Sequence, residues 1–372
     1  MPKANALVAL LCVVVGGTTT SLPPPTGEYG VGVSRHVIPF RNHDDPVWPG
    51  NVSTDYLVTA YYPTEEPGQT TRYMEPELAE TYERGWNITA GSLANLTAML
   101  APGAPYLPLS LSQGPTVIFN PAGMGPPSSV YTAIITDLVS RGYAVFALDH
   151  VYEQPFVRYP NGTGVRGLPL DFQYDLDFIE RLHEARRRAT LHFVHYLPQL
   201  VENLGATFAT TGLGVLGGSL GGSLAFAAAL GSNEVDAAVN LDGTLWGDLV
   251  ANDSSVDTDK PVLFLATAGH SGDGDPSWAT FPAWQTGWWR LLSVAGTLHS
   301  DWSDVTFWKQ FGMNKTTGDI DGRRMIDLSR EYIGDFFGRH LRGEDAPILD
   351  APAEEWPEVE VTDGRNSTRA LD

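Results

Sequence analysis

Cysteine is almost missing from this sequence of 372 residues, and the basic side chains are few. The one cysteine, Cys12, lies near the amino terminus, so the rest of the chain cannot form a disulfide framework, a zinc–cysteine site or a cysteine nucleophile. The chain has 23 basic against 44 acidic side chains and a formal net charge of -21. Binding to nucleic-acid phosphates requires clustered Lys and Arg, so we expect no nucleic-acid partner. The 42% of hydrophobic residues is too high for a disordered chain.

The first 21 residues have the order typical of a secretory signal peptide. Lys3 precedes an unbroken apolar run over residues 6–15, and small or hydroxylated residues follow over 16–21. The run is shorter than the roughly 20 residues that span a bilayer. We therefore expect residues 1–21 to be a signal peptide that is cleaved near Thr20 or Ser21, and the protein to be secreted.

Seven Asn-x-Ser/Thr sequons accompany this predicted export signal. Together they favour a glycoprotein of a eukaryotic secretory route. The glycosylation candidates are Asn51, Asn87, Asn95, Asn161, Asn252, Asn314 and Asn366.

Strand and helix patterns alternate along most of the chain. Short apolar strands are predicted at 116–120, 144–149, 213–216, 235–241 and 262–267, with helical periodicity between several of them. A long helical segment covers 171–204, with a break expected before Pro198, and a closing helix covers 323–341. This alternation predicts a mainly parallel central sheet with helices on both faces. We assign residues 22–343 to one such α/β domain and residues 344–372 to an acidic, Pro-containing tail.

The strongest chemical signal is the pentapeptide Gly217-Gly218-Ser219-Leu220-Gly221, which follows a predicted strand and opens a predicted helix. A serine nucleophile needs such a strained strand-to-helix turn, and the glycines leave room for it. The pattern therefore predicts an α/β-hydrolase fold with Ser219 as the nucleophile. The alternative is a glycine-rich turn that binds a phosphate or has no catalytic role.

A serine hydroxyl needs a histidine as its base, and in this fold the histidine follows the serine in the chain. Three histidines do so. His299 comes after the last predicted strand and is our candidate, with His270 as the second choice. His340 lies in the closing helix beside two arginines and is expected to be a surface cation.

The orienting acid and the oxyanion donors complete the predicted site. Asp242 ends the strand that follows the nucleophile, and Asp273 lies one strand later; their spacing leaves both open. The oxyanion hole is expected to use the backbone N–H groups of Leu220, directly after the serine, and of Met124, which lies between two glycines after an early strand.

These residues, taken in order, resemble the secreted and type II platelet-activating factor acetylhydrolases and their microbial relatives. The likeness covers residues 27–340. It is carried by Gly27-Glu28-Tyr29-Gly30-Val31-Gly32, Tyr61-Tyr62-Pro63, Gly123-Met124-Gly125 with Tyr131 and the 137–143 stretch, Leu241-Asp242, and His299 with Asp304 and Phe307 downstream. The resemblance selects Asp242 as the acid. The chain departs from the family at Gly218, where a histidine is frequent, and at Ala122, where His-Gly is frequent before the hydrophobic residue of the oxyanion loop.

The resemblance implies an ester hydrolase for phospholipids with a short or oxidised sn-2 acyl group, without a metal or other cofactor. Two alternatives stay open: a secreted carboxylesterase for other small esters or polyesters, and a non-enzymatic glycoprotein on a hydrolase scaffold. The stretch 272–275 is expected to be a turn, with calcium binding as the lesser alternative. An aromatic run is expected to pack in the core, or else to contact a lipid surface or line the acyl pocket. Its members are Trp278, Phe281, Trp284, Trp288 and Trp289.

Overall fold

A single large sheet organises the chain. The computed structural model describes residues 20–107, 114–313 and 315–367. Within them, eleven strands pair in the order β13-β12-β11-β10-β9-β5-β6-β2-β1-β4-β3, and β7 and β8 form a separate hairpin. The strands are β1 (Gly30–His43), β2 (Val52–Thr64), β3 (Gln69–Arg72), β4 (Thr97–Pro102), β5 (Thr116–Asn120), β6 (Ala144–Asp149), β7 (Phe156–Arg158), β8 (Gly164–Arg166), β9 (Leu213–Gly218), β10 (Val235–Leu241), β11 (Val262–Thr267), β12 (Trp289–Val294) and β13 (Val359–Arg365).

Six neighbouring strands form the parallel middle of the sheet: β6, β5, β9, β10, β11 and β12. At one end of this group, β2 pairs with β6 in the antiparallel sense. The helices connect or follow these strands. They are α1 (Pro76–Gly85), α2 (Thr132–Ser140), α3 (Leu176–Leu204), α4 (Leu220–Gly231), α5 (Pro276–Trp284), α6 (Val305–Trp308) and α7 (Gly322–Arg342).

Two hydrophobic cores cover the two faces of the sheet, because successive side chains of a strand point to opposite faces. In β5, Val117 and Phe119 pack in one core, together with α1, α2, α6 and α7. Ile118 packs in the other core, with α3, α4 and α5. The predicted mainly parallel sheet with helices on both faces is therefore confirmed.

Two details of the prediction differ from the structure. Helix α3 continues through Pro198 without the expected break, since its apolar face stays buried on both sides of the proline, at Phe193, Leu197 and Val201. The segment predicted as a tail also contributes to the sheet, because β13 pairs with β12 in the antiparallel sense. The alternation of valine with acidic residues around Val359 and Val361 is the strand signal at this edge.

The amino-terminal segment is tied to the fold from its first described residue. Residues 1–19 of the predicted signal peptide lie outside the described residues. Ser21 pairs with Thr97, and the Leu22 side chain is buried. Among the described residues, no helix combines the length and the apolar character needed to span a membrane.

Candidate active site

Ser219 is the turn residue between β9 and α4. Its backbone has φ 53° and ψ −124°, a conformation that non-glycine residues rarely adopt. Such strain is kept where the surroundings enforce it, and it is common in catalytic turns. The turn places Ser219 at the amino-terminal end of α4, where the helix dipole favours negative charge.

The glycines of the elbow are required by close backbone contacts. A Cβ atom on Gly217 would lie 2.1 Å from the carbonyl oxygen of Gly221, and one on Gly221 would lie 2.1 Å from the oxygen of Asn120. A Cβ on Gly243 would lie 2.0 Å from the oxygen of Ser219. Two neighbouring strands and the serine turn thus meet without space for side chains.

Asp242 follows β10, the strand beside the nucleophile strand, and its carboxylate contacts His299. The distance from Asp242 Oδ2 to His299 Nδ1 is 2.6 Å. Burial raises the pKa of Asp242, but hydrogen bonds from His270, His299 and Thr267 outweigh it and lower the pKa to about 2. Asp242 is therefore an anion that can orient an imidazole. Asp273 lies exposed in the loop before α5, and the contact to His299 is made by Asp242.

His299 begins a short 3-10 helix over His299–Trp302, and its side chain is 57% exposed. The loop is held by Asp301, a buried carboxylate that the sequence analysis did not single out. Asp301 accepts the N–H groups of Leu298 at 2.8 Å and Gly318 at 2.6 Å, and it pairs with Lys309 at 2.7 Å. The exposed imidazole thus stands on a rigid loop.

The Ser219 hydroxyl makes no hydrogen bond within the described part of the chain. Ser219 and Asp242 are nevertheless neighbours in the sheet, because the N–H of Ser219 donates to Leu241 at 2.8 Å. Ser219 and Asp242 therefore lie at the carboxyl ends of adjacent parallel strands, where ligands of open α/β sheets bind, and His299 reaches Asp242 from the loop after β12.

The two predicted oxyanion donors differ in their surroundings. Leu220 is the first residue of α4, so its N–H lies in the helix turn whose amides have no partner within the helix. The N–H of Met124 donates to Glu153 Oε1 at 2.8 Å. The geometry therefore differs from the role predicted for Met124, because a buried carboxylate already accepts its amide.

Glu153 belongs to a buried ion pair that clamps this loop. Arg186 of α3 donates from Nε to Glu153 Oε2 at 2.6 Å, and a second contact joins the same two side chains. The guanidinium also donates to the carbonyl oxygens of Pro121 at 3.0 Å and Ala122 at 3.3 Å. Both side chains are almost fully buried. The sequence contains no spacing signal that relates Glu153 to Arg186.

An apolar wall lies beside the serine elbow. Leu220 packs with Ile179 and Leu182 of α3, and partly buried side chains join this cluster from Met124, Phe178 and Trp246.

The predicted aromatic run packs mainly in the core. Trp278, Phe281, Trp288 and Trp289 are buried, and Trp284 is partly exposed.

His340 differs from the expected surface cation. It lies against Trp288 and Phe336, and burial lowers its pKa to about 4, so the imidazole is neutral at pH 7. Among the described residues no group of three or more His, Cys, Asp or Glu side chains is arranged to hold a metal ion.

Comparison with known proteins finds similar esterases, while no family model matches the chain. The chain is 27% identical over 268 residues to a probable 1-alkyl-2-acetylglycerophosphocholine esterase of Arthroderma benhamiae. This match covers 67% of the chain and 66% of the relative, so the chain spans slightly less than two thirds of that curated protein.

A solved structure matches over almost the whole chain. It is a ferulic acid esterase from Streptomyces cinnamoneus, with a TM-score of 0.76 and 27% sequence identity. The match covers 93% of this chain and 100% of the esterase. The parallel sheet, the strained serine elbow and these two relatives confirm the resemblance stated from the sequence: the chain has an α/β-hydrolase fold and is similar to a probable 1-alkyl-2-acetylglycerophosphocholine esterase.

Proposed function

We propose that this protein is a secreted serine ester hydrolase that removes a short sn-2 acyl group, such as acetyl, from platelet-activating-factor-like or oxidised phospholipids. The observation that carries the hydrolase part is the strained Ser219 elbow on the strand next to Asp242, whose carboxylate contacts His299 at 2.6 Å. A nucleophile, a base and an orienting acid in this arrangement serve acyl transfer.

In the proposed reaction, Ser219 Oγ attacks the ester carbonyl while His299 Nε2 takes the hydroxyl proton. Asp242 holds His299 Nδ1–H and stabilises the imidazolium that forms. The Leu220 N–H and the amino-terminal end of α4 stabilise the oxyanion. His299 then gives the proton to the leaving alcohol, and water releases the acyl group from Ser219 by the same steps.

The phospholipid substrate is supported by the similarity to the probable 1-alkyl-2-acetylglycerophosphocholine esterase of Arthroderma benhamiae and by the surface around the site. Tyr174 and Leu176 are exposed large apolar side chains where α3 begins, close in the chain to Phe178 of the apolar wall. Leu298, which precedes the catalytic histidine, is exposed as well. Exposed apolar side chains of this kind suit contact with a lipid surface. The net charge of -21 disfavours anionic lipid and suits a zwitterionic choline head group.

Secretion and glycosylation are further parts of the proposal. Six of the seven candidate asparagines are exposed, namely Asn51, Asn87, Asn95, Asn161, Asn252 and Asn366. Asn314 lies outside the described residues.

Amino-terminal sequencing of the exported protein should begin near residue 22, and glycan removal should lower its mass. An exported chain that keeps Lys3 would contradict the cleaved signal peptide.

A second candidate is a general carboxylesterase, favoured by the match of 93% of the chain to a ferulic acid esterase. The two candidates separate in a rate comparison between 1-alkyl-2-acetyl phosphocholine, homologues with longer sn-2 chains, and methyl ferulate. We expect the acetyl phospholipid to have the highest kcat/KM and longer chains to react more slowly. A preference for methyl ferulate would identify the general esterase instead.

Labelling by a fluorophosphonate tests whether the protein is an enzyme at all, because only an activated serine reacts. The wild-type protein should be labelled and Ser219→Ala should not, with an unchanged Tm as the control for folding. Labelling or turnover that survives Ser219→Ala would remove the assigned nucleophile. A wild-type protein that is neither labelled nor active would support the non-enzymatic glycoprotein.

A further inference from the structure

Asp242 contacts two histidines, one at each carboxylate oxygen. Its Oδ2 accepts from His299, the proposed base, at 2.6 Å. Its Oδ1 lies 2.9 Å from Nδ1 of His270 and also accepts the N–H and the hydroxyl of Thr267 at 2.8 and 3.0 Å. The proposed reaction uses His299 alone and leaves His270 without a role.

Both ring nitrogens of His270 face carboxylates. Nδ1 faces Asp242, and Nε2 lies 3.1 Å from Asp275 Oδ2. A neutral imidazole has one N–H, so its other nitrogen would place a lone pair against an anion. Both contacts are hydrogen bonds only when His270 is an imidazolium. Burial lowers the pKa of His270, but the hydrogen bonds and charges of Asp242 and Asp275 outweigh it and raise the pKa to about 9.

The start of α5 holds the second histidine in place. Asp275 is the N-cap residue of α5, and its Oδ1 accepts the N–H and hydroxyl of Ser277 at 3.0 and 2.7 Å. The imidazole stacks on Trp278 with a centroid distance of 3.9 Å and an angle of 20°. Trp278 in turn donates its indole N–H to Gly243, the residue after Asp242, at 2.9 Å. A cation stacked on an indole face is stabilised by the ring quadrupole.

We propose that His270 is a positioning residue for the hydrolysis: as an imidazolium it fixes Asp242 and weakens the attraction of Asp242 for a proton on His299. The inference rests on the proposed function. The positive charge beside Oδ1 offsets part of the negative charge that would otherwise hold His299 in its protonated form. The inference predicts that loss of the positive charge at position 270 changes the pH dependence of the hydrolysis.

The charged groups around His270 agree with this assignment. The carboxylates in contact are Asp242 at the end of β10 and Asp275 on α5. Asp273 lies exposed on the same loop, and Asp363 and Arg365 of β13 line the same open groove of about 630 Å³ as His270.

The test is the pH dependence of kcat/KM for His270→Asn and Asp275→Asn. The asparagine amide at 270 can still donate to Asp242 but has no charge, and asparagine at 275 keeps the N-cap while it removes the carboxylate. We expect the acidic limb of the pH profile to move to higher pH by about one unit in His270→Asn, which removes the positive charge. In Asp275→Asn it should not move to higher pH, because this variant removes a negative charge and leaves Asp242 in contact with His270. Asp273→Asn, on the exposed part of the loop, is the matched control and should leave the limb unchanged.

If His270 had only a structural role, His270→Asn would lower kcat/KM equally at all pH values and would not move the acidic limb of the pH profile. That result would overturn the inference. Nitrogen NMR of the wild-type ring gives a readout besides activity, since both nitrogens of His270 should carry protons at pH 7. A single protonated nitrogen would also overturn it. Failure of the proposed function is distinguishable, because the wild-type protein itself would then show no Ser219-dependent turnover.

Discussion

The hydroxyl of Tyr131 occupies the space beside Gly218 that a side chain at this position would need. A Cβ atom on Gly218 would lie 2.7 Å from Tyr131 Oη and 3.0 Å from the edge of its ring. Tyr131 also packs against Phe119 at the end of β5, so the ring cannot move freely. This contact leaves no space for a side chain at position 218.

Gly218→Ala should therefore destabilise the protein by about 1–3 kcal/mol through overpacking. The measurement is the free energy of unfolding in urea. Gly68→Ala is the control, because a Cβ there would meet its nearest neighbour at an ordinary 3.4 Å. Equal effects of the two substitutions would contradict the contact with Tyr131.

Asp242→Asn should lower kcat by about four orders of magnitude, since the amide favours the wrong imidazole tautomer at His299. Asp273→Asn should change kcat by less than about tenfold, because Asp273 is exposed and Asp242 already makes the contact to His299. Steady-state kinetics of both variants on one short-chain ester decides between them. A larger loss for Asp273→Asn would move the acid to that loop.

Arg186→Met should cost about 3–5 kcal/mol of unfolding free energy, because it leaves the Glu153 carboxylate buried without its cation. It should also slow turnover, since Arg186 holds the carbonyl groups of Pro121 and Ala122 in the loop beside the elbow. Arg84→Met is the matched control in an exposed pair with Glu80 and should cost less than about 1 kcal/mol. Similar losses of unfolding free energy in both variants would show that the buried pair of Arg186 and Glu153 does not stabilise the protein more than an exposed pair does.

The contribution of Asp304 to the stability of the protein should decrease as the pH rises from about 4 to 7. Burial raises the pKa of Asp304 to about 7, although Tyr73 and the N–H of Ala133 donate to its carboxylate. Its pKa is thus higher in the folded than in the unfolded state, so its stabilising contribution is complete below pH 4 and is lost up to pH 7.

Asp304→Asn should remove this loss. The Tm of the variant relative to wild type should increase between pH 4 and pH 8, by the equivalent of about 2–4 kcal/mol. Asp273→Asn, which is exposed, supplies the baseline and should show no such trend. A constant difference between Asp304→Asn and wild type at all pH values would mean that Asp304 is ionised in the folded protein throughout.

Local sequence alone determined the fold class and the serine turn. Apolar strands alternate with amphipathic helices, and the pentapeptide around Ser219 follows a strand and opens a helix, so neighbouring residues contain the whole signal. The same holds for the closing helix at 323–341. The strand β13 and the continuous helix α3 were not predicted from the sequence, because sheet pairing at Val359 and burial around Pro198 depend on residues distant in the chain.

Only the tertiary structure decided which polar residues of the site contact one another. Along the chain, Asp242 and Asp273 both follow strands after Ser219, and His270 and His299 are both candidate bases. The order of β10, β11 and β12 in the sheet lets the loops after β11 and β12 bring His270 and His299 to Asp242, with one carboxylate oxygen for each. Likewise, the amide of Met124 is predicted from the sequence to be an oxyanion donor, but it donates to Glu153, which Arg186 of α3 holds in place. Hydrogen bonds between groups 28 to 57 residues apart depend on sheet order and burial, and neither quantity is contained in the spacing of residues along the chain.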